Sequence, residues 1–177
     1  SDRPPSAKER GVKTANTISL AAPLSLLLFL AGLAALFWAF MTGTAIDPEK
    51  GRDAMIAAIW NHVGWGVLAA PTLLIYMSWR LFAGNSSRAT LMEKFGIALL
   101  LALVAAVIFL IVTGPITVWT YGSALKVFDW FAIPSPTGKA PALHSFVEQA
   151  HVYVARVTPW LAGAELALFA FSNVQRK

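Results

Sequence analysis

The sequence predicts an all-α membrane protein, a four-transmembrane-helix bundle with a short interfacial segment between helices three and four. Three observations carry that expectation. Of 177 residues 57% are apolar and only 13% charged, and the charges cluster between apolar blocks rather than scattering as on a soluble domain. Four blocks, at about residues 18–41, 57–79, 96–120 and 147–171, each reach the roughly 20 residues a bilayer requires. The basic residues are also distributed asymmetrically among the connections. Residues 1–177 read as a single membrane domain, with nothing resembling a soluble second one.

The first block is too long for a signal-peptide core and no A-x-A-like site follows it, so it is expected to be retained as helix one. Thr42, Gly43, Thr44, Asp47, Pro48, Gly51 and Asp53 form a turn-rich connection to helix two, which ends at the Trp79–Arg80 boundary. Pro71 is expected to kink that helix, and Pro159 the fourth. Between helices three and four the connection is longer than packing requires. Within it Leu125, Val127, Phe128, Trp130 and Phe131 alternate with Lys126 and Asp129, the pattern of a segment lying under headgroups, before 133–138 breaks it. Trp60, Trp65, Trp119, Tyr121 and Trp130 form an aromatic belt at the same side.

Arg3, Lys8, Arg10, Lys13, Arg80, Arg88, Lys94, Arg176 and Lys177 fall on one side of the bundle, against Lys50, Arg52, Lys126 and Lys139 on the other. The positive-inside rule then places both termini in the cytoplasm and His62, His144 and His151 at the outer surface. The formal net charge of +5 follows from this asymmetry and from contact with membrane lipid; it does not indicate nucleic-acid binding.

The chain has no cysteine, which removes disulfides, thiolate haem ligation, iron–sulfur clusters, covalent haem attachment and cysteine-based zinc sites together. Any metal must be held by histidine, methionine or carboxylate. His62 and His151 each open a long apolar run at a matching depth, the arrangement of two axial ligands to one haem iron. Haem is flat and needs small residues beside it. Gly66 and Ala70 follow His62 at one-turn and two-turn spacing, and Ala155, Thr158 and Ala162 follow His151 on its face. The same facts fit interfacial histidines bonded to water or headgroups, with small residues serving helix packing.

His62-Val63-Gly64-Trp65-Gly66 followed by Trp79-Arg80-Leu81, Thr113-Gly114-Pro115 closing helix three, the aromatic stretch from Phe128 to Pro134, and His151 opening helix four together resemble the bacterial cytochrome b561 family over nearly the whole chain. The resemblance implies a b-type cytochrome of the bacterial inner membrane. It implies haem b, with His62 and His151 as iron ligands and Gly66 in the cofactor slot, and electron exchange between a periplasmic redox partner and the quinone pool. Some relatives oxidise superoxide. The family's second ligand pair is missing: Glu165 and Ser25 stand where the resemblance calls for histidines. One haem is therefore expected, which suits a subunit or short relay. No residue is assigned a catalytic role. The competing reading is a haem-poor structural or accessory subunit of a larger respiratory or photosynthetic membrane complex.

Glu165 in mid-membrane is expected either to contact a proton or quinone in the vacated inner site, or to be a carboxyl bonded to a neighbouring helix. Arg156, roughly 140° around the helix from His151, is expected to snorkel, pair with another subunit or reach a propionate. His144 and Glu148 give an H-x-x-x-E-x-x-H run with His151, unlike the H-E-x-x-H of zinc hydrolases, so a metallohydrolase is a weak third reading. His144 reads as a surface residue near the cofactor or a spare ligand.

Overall fold

The computed structural model describes residues 7–83 and 91–174, with side chains from Leu24 onward except those of Ser25, Ala83, Phe169 and residues 172–174. Four long helices dominate: α1 (Ala7–Thr44), α2 (Arg52–Ala83), α3 (Leu91–Tyr121) and α4 (Pro141–Val174). Each outruns its apolar block at both ends. Hydropathy marks only the lipid-facing length of a helix, whereas the backbone ladder continues until a residue or turn stops it. The stop before α2 is local: Asp47 accepts from the Glu49 N–H at 2.9 Å, a single 3₁₀ turn (Pro48–Lys50) follows, and Gly51 at φ 90° releases the chain into α2. Helices α2 and α4 run unbroken through Pro71 and Pro159, as α3 does through Pro115.

Among the described residues three segments, Leu26–Thr44, Arg52–Phe82 and Leu91–Tyr121, are long and apolar enough to cross a membrane. The most apolar of them lies in α3. Helix α4 is as long as the others but carries His144, Glu148, His151, Arg156 and Glu165. Exposure is that of a bundle meant for lipid: Leu27, Phe37, Ile75, Phe82, Phe95 and Val112 face outward, more than half of each exposed.

Helix α1 packs along α2, and α3 along α4, giving two antiparallel hairpins. The α1–α2 seam is close at Gly32, where an added Cβ would lie 2.8 Å from Leu73. Helices α2 and α4 run parallel across the bundle with no Cα of one within 8 Å of a Cα of the other, so side chains alone bridge them. The core lies toward the Arg80 end, where Phe29, Leu73, Tyr76, Met77, Leu103 and Glu165 are fully buried. Phe29 stacks on Tyr76 with centroids 4.1 Å apart.

The expected interfacial segment is a β-hairpin. Strands β1 (Leu125–Val127) and β2 (Phe131–Ile133) pair antiparallel, with Leu125 opposite Ile133 and Val127 opposite Phe131. The alternation of the sequence is that of a strand with period two: Leu125 and Val127 are buried against the bundle while Lys126 turns outward over the Trp60 ring at 3.8 Å. Phe128, at φ 46°, turns the chain and lays its ring on Gly64, where an added Cβ would lie 2.5 Å from it. Trp65 meets the same ring edge-on at 5.9 Å, so this member of the aromatic belt is a packing residue rather than a lipid anchor.

Candidate functional site

His62 on α2 and His151 on α4 come together across the bundle. Their ring centroids are 6.0 Å apart and the rings stand at 85°. Neither ring is loose. Nδ1 of His62 lies 2.7 Å from the Ala39 carbonyl of α1, and Nδ1 of His151 lies 2.8 Å from the Thr113 hydroxyl of α3. Each histidine is thus oriented by the helix its own helix packs against.

Those two bonds determine which nitrogen carries the proton. A carbonyl can only accept, so His62 must donate from Nδ1. The Thr113 hydroxyl has a single hydrogen, and it lies 2.8 Å from the Phe109 carbonyl. Both Thr113 contacts are satisfied when that hydrogen goes to Phe109 and His151 donates from Nδ1 to the hydroxyl oxygen. The remaining nitrogen, Nε2, is then unprotonated on both rings, the form in which imidazole binds a metal, and the Nδ1–H partner is the orienting contact metal-bound histidines use.

The surroundings suit a flat group in part. An imidazole nitrogen binds a first-row metal at about 2.0 Å, so rings with centroids 6.0 Å apart would be near enough for both to hold one ion. Gly66, one turn below His62, has open space where a Cβ would point. Gly43 has a different role: an added Cβ would lie 2.9 Å from the His62 Nδ1, so only glycine lets the ring reach Ala39. Gly114 stands beside the His151 ring: an added Cβ there would lie 3.4 Å from its Cε1.

His144 lies apart from this pair. Its Nδ1 donates to the Thr117 carbonyl at 3.0 Å and its Nε2 lies 3.5 Å from Glu148, which makes it a tie between α3 and α4. No group of three or more His, Cys, Asp or Glu able to hold a metal occurs among the described residues, so the H-x-x-x-E-x-x-H run forms no protein-only metal site. That grouping does not bear on a metal whose own macrocycle supplies the other ligands.

At the opposite end Glu165 is fully buried and Arg80 of α2 reaches it, Nη2 to Oε1 at 3.1 Å. The Tyr76 hydroxyl lies within reach of the carboxylate, although neither it nor Oε2 completes a hydrogen bond among the described residues. Side chains therefore close the Arg80 end of the bundle around an ion pair. Ser25, the other position of interest there, has its side chain outside the described residues. Sequence reasoning placed Arg80 at a membrane boundary and did not connect it to Glu165. The signal was available: Arg80 lies 18 residues after His62 and Glu165 lies 14 after His151 on parallel helices, depths of about 27 and 21 Å that an arginine stem can bridge. Ala39, Gly43 and Thr113 were missed as orienting groups: a backbone carbonyl leaves no trace in a sequence, and which glycine or hydroxyl meets a ring depends on how the neighbouring helix packs.

No family model matches the chain, and no curated protein or solved structure matches it either.

Proposed function

We propose that this protein is a membrane b-type cytochrome that binds one haem between α2 and α4, with His62 and His151 as axial ligands. The observation that carries the reading is the pair of facing imidazoles whose Nδ1 atoms are both committed to hydrogen bonds, leaving two Nε2 lone pairs. When bound, the haem supplies one-electron redox chemistry. The chain's part is to hold both rings in one tautomer, through Ala39 and Thr113, and to exclude water with the Phe128 hairpin over Gly64. The ion pair in the inner half occupies space a second macrocycle would need, which favours a single haem.

In this reading all four helices span the bilayer. The fourth does so with its histidines toward the outer face and Glu165 neutralised by Arg80. Both termini are cytoplasmic in a bacterial inner membrane. Electrons pass between a periplasmic redox protein and the quinone pool, with the chain acting as a relay or subunit of a membrane complex; the likeness to cytochrome b561 in the residues around His62 and His151 supports this assignment. The deciding experiment is a reduced-minus-oxidised spectrum of the purified chain. A low-spin bis-histidine signal is expected, and its absence would leave the accessory-subunit reading.

Two further outcomes are expected. Cysteines replacing Pro48 and Pro136 label with an impermeant reagent in intact cells; labelling at Ser1 instead would reverse the orientation. Thr113→Val removes the acceptor of the His151 Nδ1–H, and lost orienting partners weaken metal sites by about 10- to 100-fold. Haem retention on dilution should fall accordingly in Thr113→Val and recover in Thr113→Ser.

A further inference from the structure

Arg156 lies on the exposed face of α4, five residues further along the helix than His151. Helix rise places its Cα about 7.5 Å deeper than that of His151. If α4 spans the bilayer, as the reading above requires, this guanidinium starts well inside the hydrocarbon on a lipid-facing surface, where an uncompensated charge is expensive. Side chains on a helix lean toward its N-terminus, so Arg156 is directed back along α4 toward the nearer membrane surface. That direction is the same whichever side of the membrane the N-terminal end of α4 faces.

A groove of about 330 Å³ lies there, lined by Glu148, Gln149, Val152, Tyr153 and Arg156. Glu148 is two turns nearer the surface than Arg156. Its Oε2 is engaged by His144 at 3.5 Å, and its side chain is about half exposed. The groove therefore presents a cation at its deep end, an anion at its shallow end and an aromatic side wall. Beyond the deep end the face continues as apolar surface, with Val157 partly exposed and Trp160 81% exposed.

We propose that this groove binds the headgroup of one zwitterionic aminophospholipid, the phosphate on Arg156 and the ammonium on Glu148. The order of charge is what selects it. A phospholipid in a leaflet carries its phosphate deeper than its amine and its acyl chains deeper still, which is the complement of Glu148, Arg156 and the apolar surface read inward. Gln149 adds a neutral donor and acceptor at the headgroup level. A primary ammonium can hydrogen-bond to the Glu148 carboxylate, whereas a trimethylated one cannot, so phosphatidylethanolamine should be held over phosphatidylcholine.

The full-length protein in detergent, exchanged into mixed micelles with phosphatidylethanolamine or phosphatidylcholine, tests this by native mass spectrometry. The wild type should retain a phosphatidylethanolamine through delipidation steps that strip phosphatidylcholine. Arg156→Gln should lose phosphatidylethanolamine at steps the wild type withstands. Glu148→Gln should hold the two lipids alike, releasing phosphatidylethanolamine at the steps that strip phosphatidylcholine. Retention unchanged by Arg156→Gln, or equal retention of the two lipids by the wild type, would overturn the proposal. A fluorophore on Trp160→Cys in bilayers of acyl-brominated lipid separates this outcome from a failure of the spanning reading. Strong quenching means that α4 lies in the hydrocarbon whatever the lipid selectivity; no quenching means that it does not, and the groove then has no leaflet to face.

Discussion

On the proposed haem reading, His62→Ala and His151→Ala should each abolish the low-spin haem spectrum, and the wild type should bind about one haem per chain. The two rings have no histidine or cysteine substitute among the described residues. His144, the remaining histidine, is tied to Thr117 and Glu148, and no cysteine exists to replace a lost ligand. Removing one imidazole leaves an iron with a single axial ligand, which changes its spin state or loses the cofactor. The measurement is the reduced-minus-oxidised difference spectrum together with a haem-to-protein ratio on pure protein. An unchanged spectrum in both variants would end the assignment, and a ratio near two would mean that the ion-paired inner half opens to admit a second macrocycle.

Arg80→Met alone destabilises the bundle heavily, by about 3 kcal/mol or more, because it strands a fully buried carboxylate without its counter-charge. The size follows from the asymmetry of buried ion pairs. Their net contribution is small, since desolvation offsets attraction, but breaking one by removing a single partner leaves the whole desolvation penalty standing. The double variant Arg80→Met with Glu165→Leu should therefore recover most of the loss. Thermal unfolding in detergent measures both. Glu165→Gln separates the charge from the shape: a mild effect on stability with slowed electron transfer to quinone would mean that the carboxylate also serves chemistry, and an unchanged rate would make it purely a tie between helices. Equal stability of Arg80→Met and the wild type would contradict the pairing itself.

The helical architecture was legible because long apolar runs have few other structural solutions: three of them lie between charged connections, and a fourth, interrupted by Arg156 and Glu165, matches them in length. The bounds were less legible, since polar turns at helix ends carry no hydropathy signal, and α1 through α4 all extend past their apolar blocks. The segment between α3 and α4 was read by its amphipathic alternation but assigned no strand; period two over Leu125 to Val127 is too short to separate a strand from an interfacial segment without the partner at 131–133. Pairing His62 with His151 by depth brought together two residues that the structure also brings together. Gly66 was selected from helical spacing and does border open space, whereas the tight glycine contacts are at Gly43 and Gly64. Those depend on which neighbouring helix or loop comes close, information that one helix's own sequence does not contain. The Arg80–Glu165 pair was overlooked for a related reason: each charge was explained by its own helix, one as a boundary and one as a remnant, before the two depths were compared.

The wide separation of α2 from α4 has a mechanical consequence. Backbone of the two hairpins comes close where α2 meets α3 and α1 meets α4, but the α2–α4 diagonal is crossed by side chains alone, and a single bridge there would act like one hinge pin. Polar bridges lie at two levels, the imidazole pair near one end and the ion pair some five turns away, about 27 Å along α2. Two pins on one line fix both the vertical register of the hairpins and their splay, yet leave the space between the pins free of backbone. A bundle built in this way holds α2 and α4 at a spacing that side chains rather than backbone fill, and loosening either pin should be felt as a change in alignment at the other.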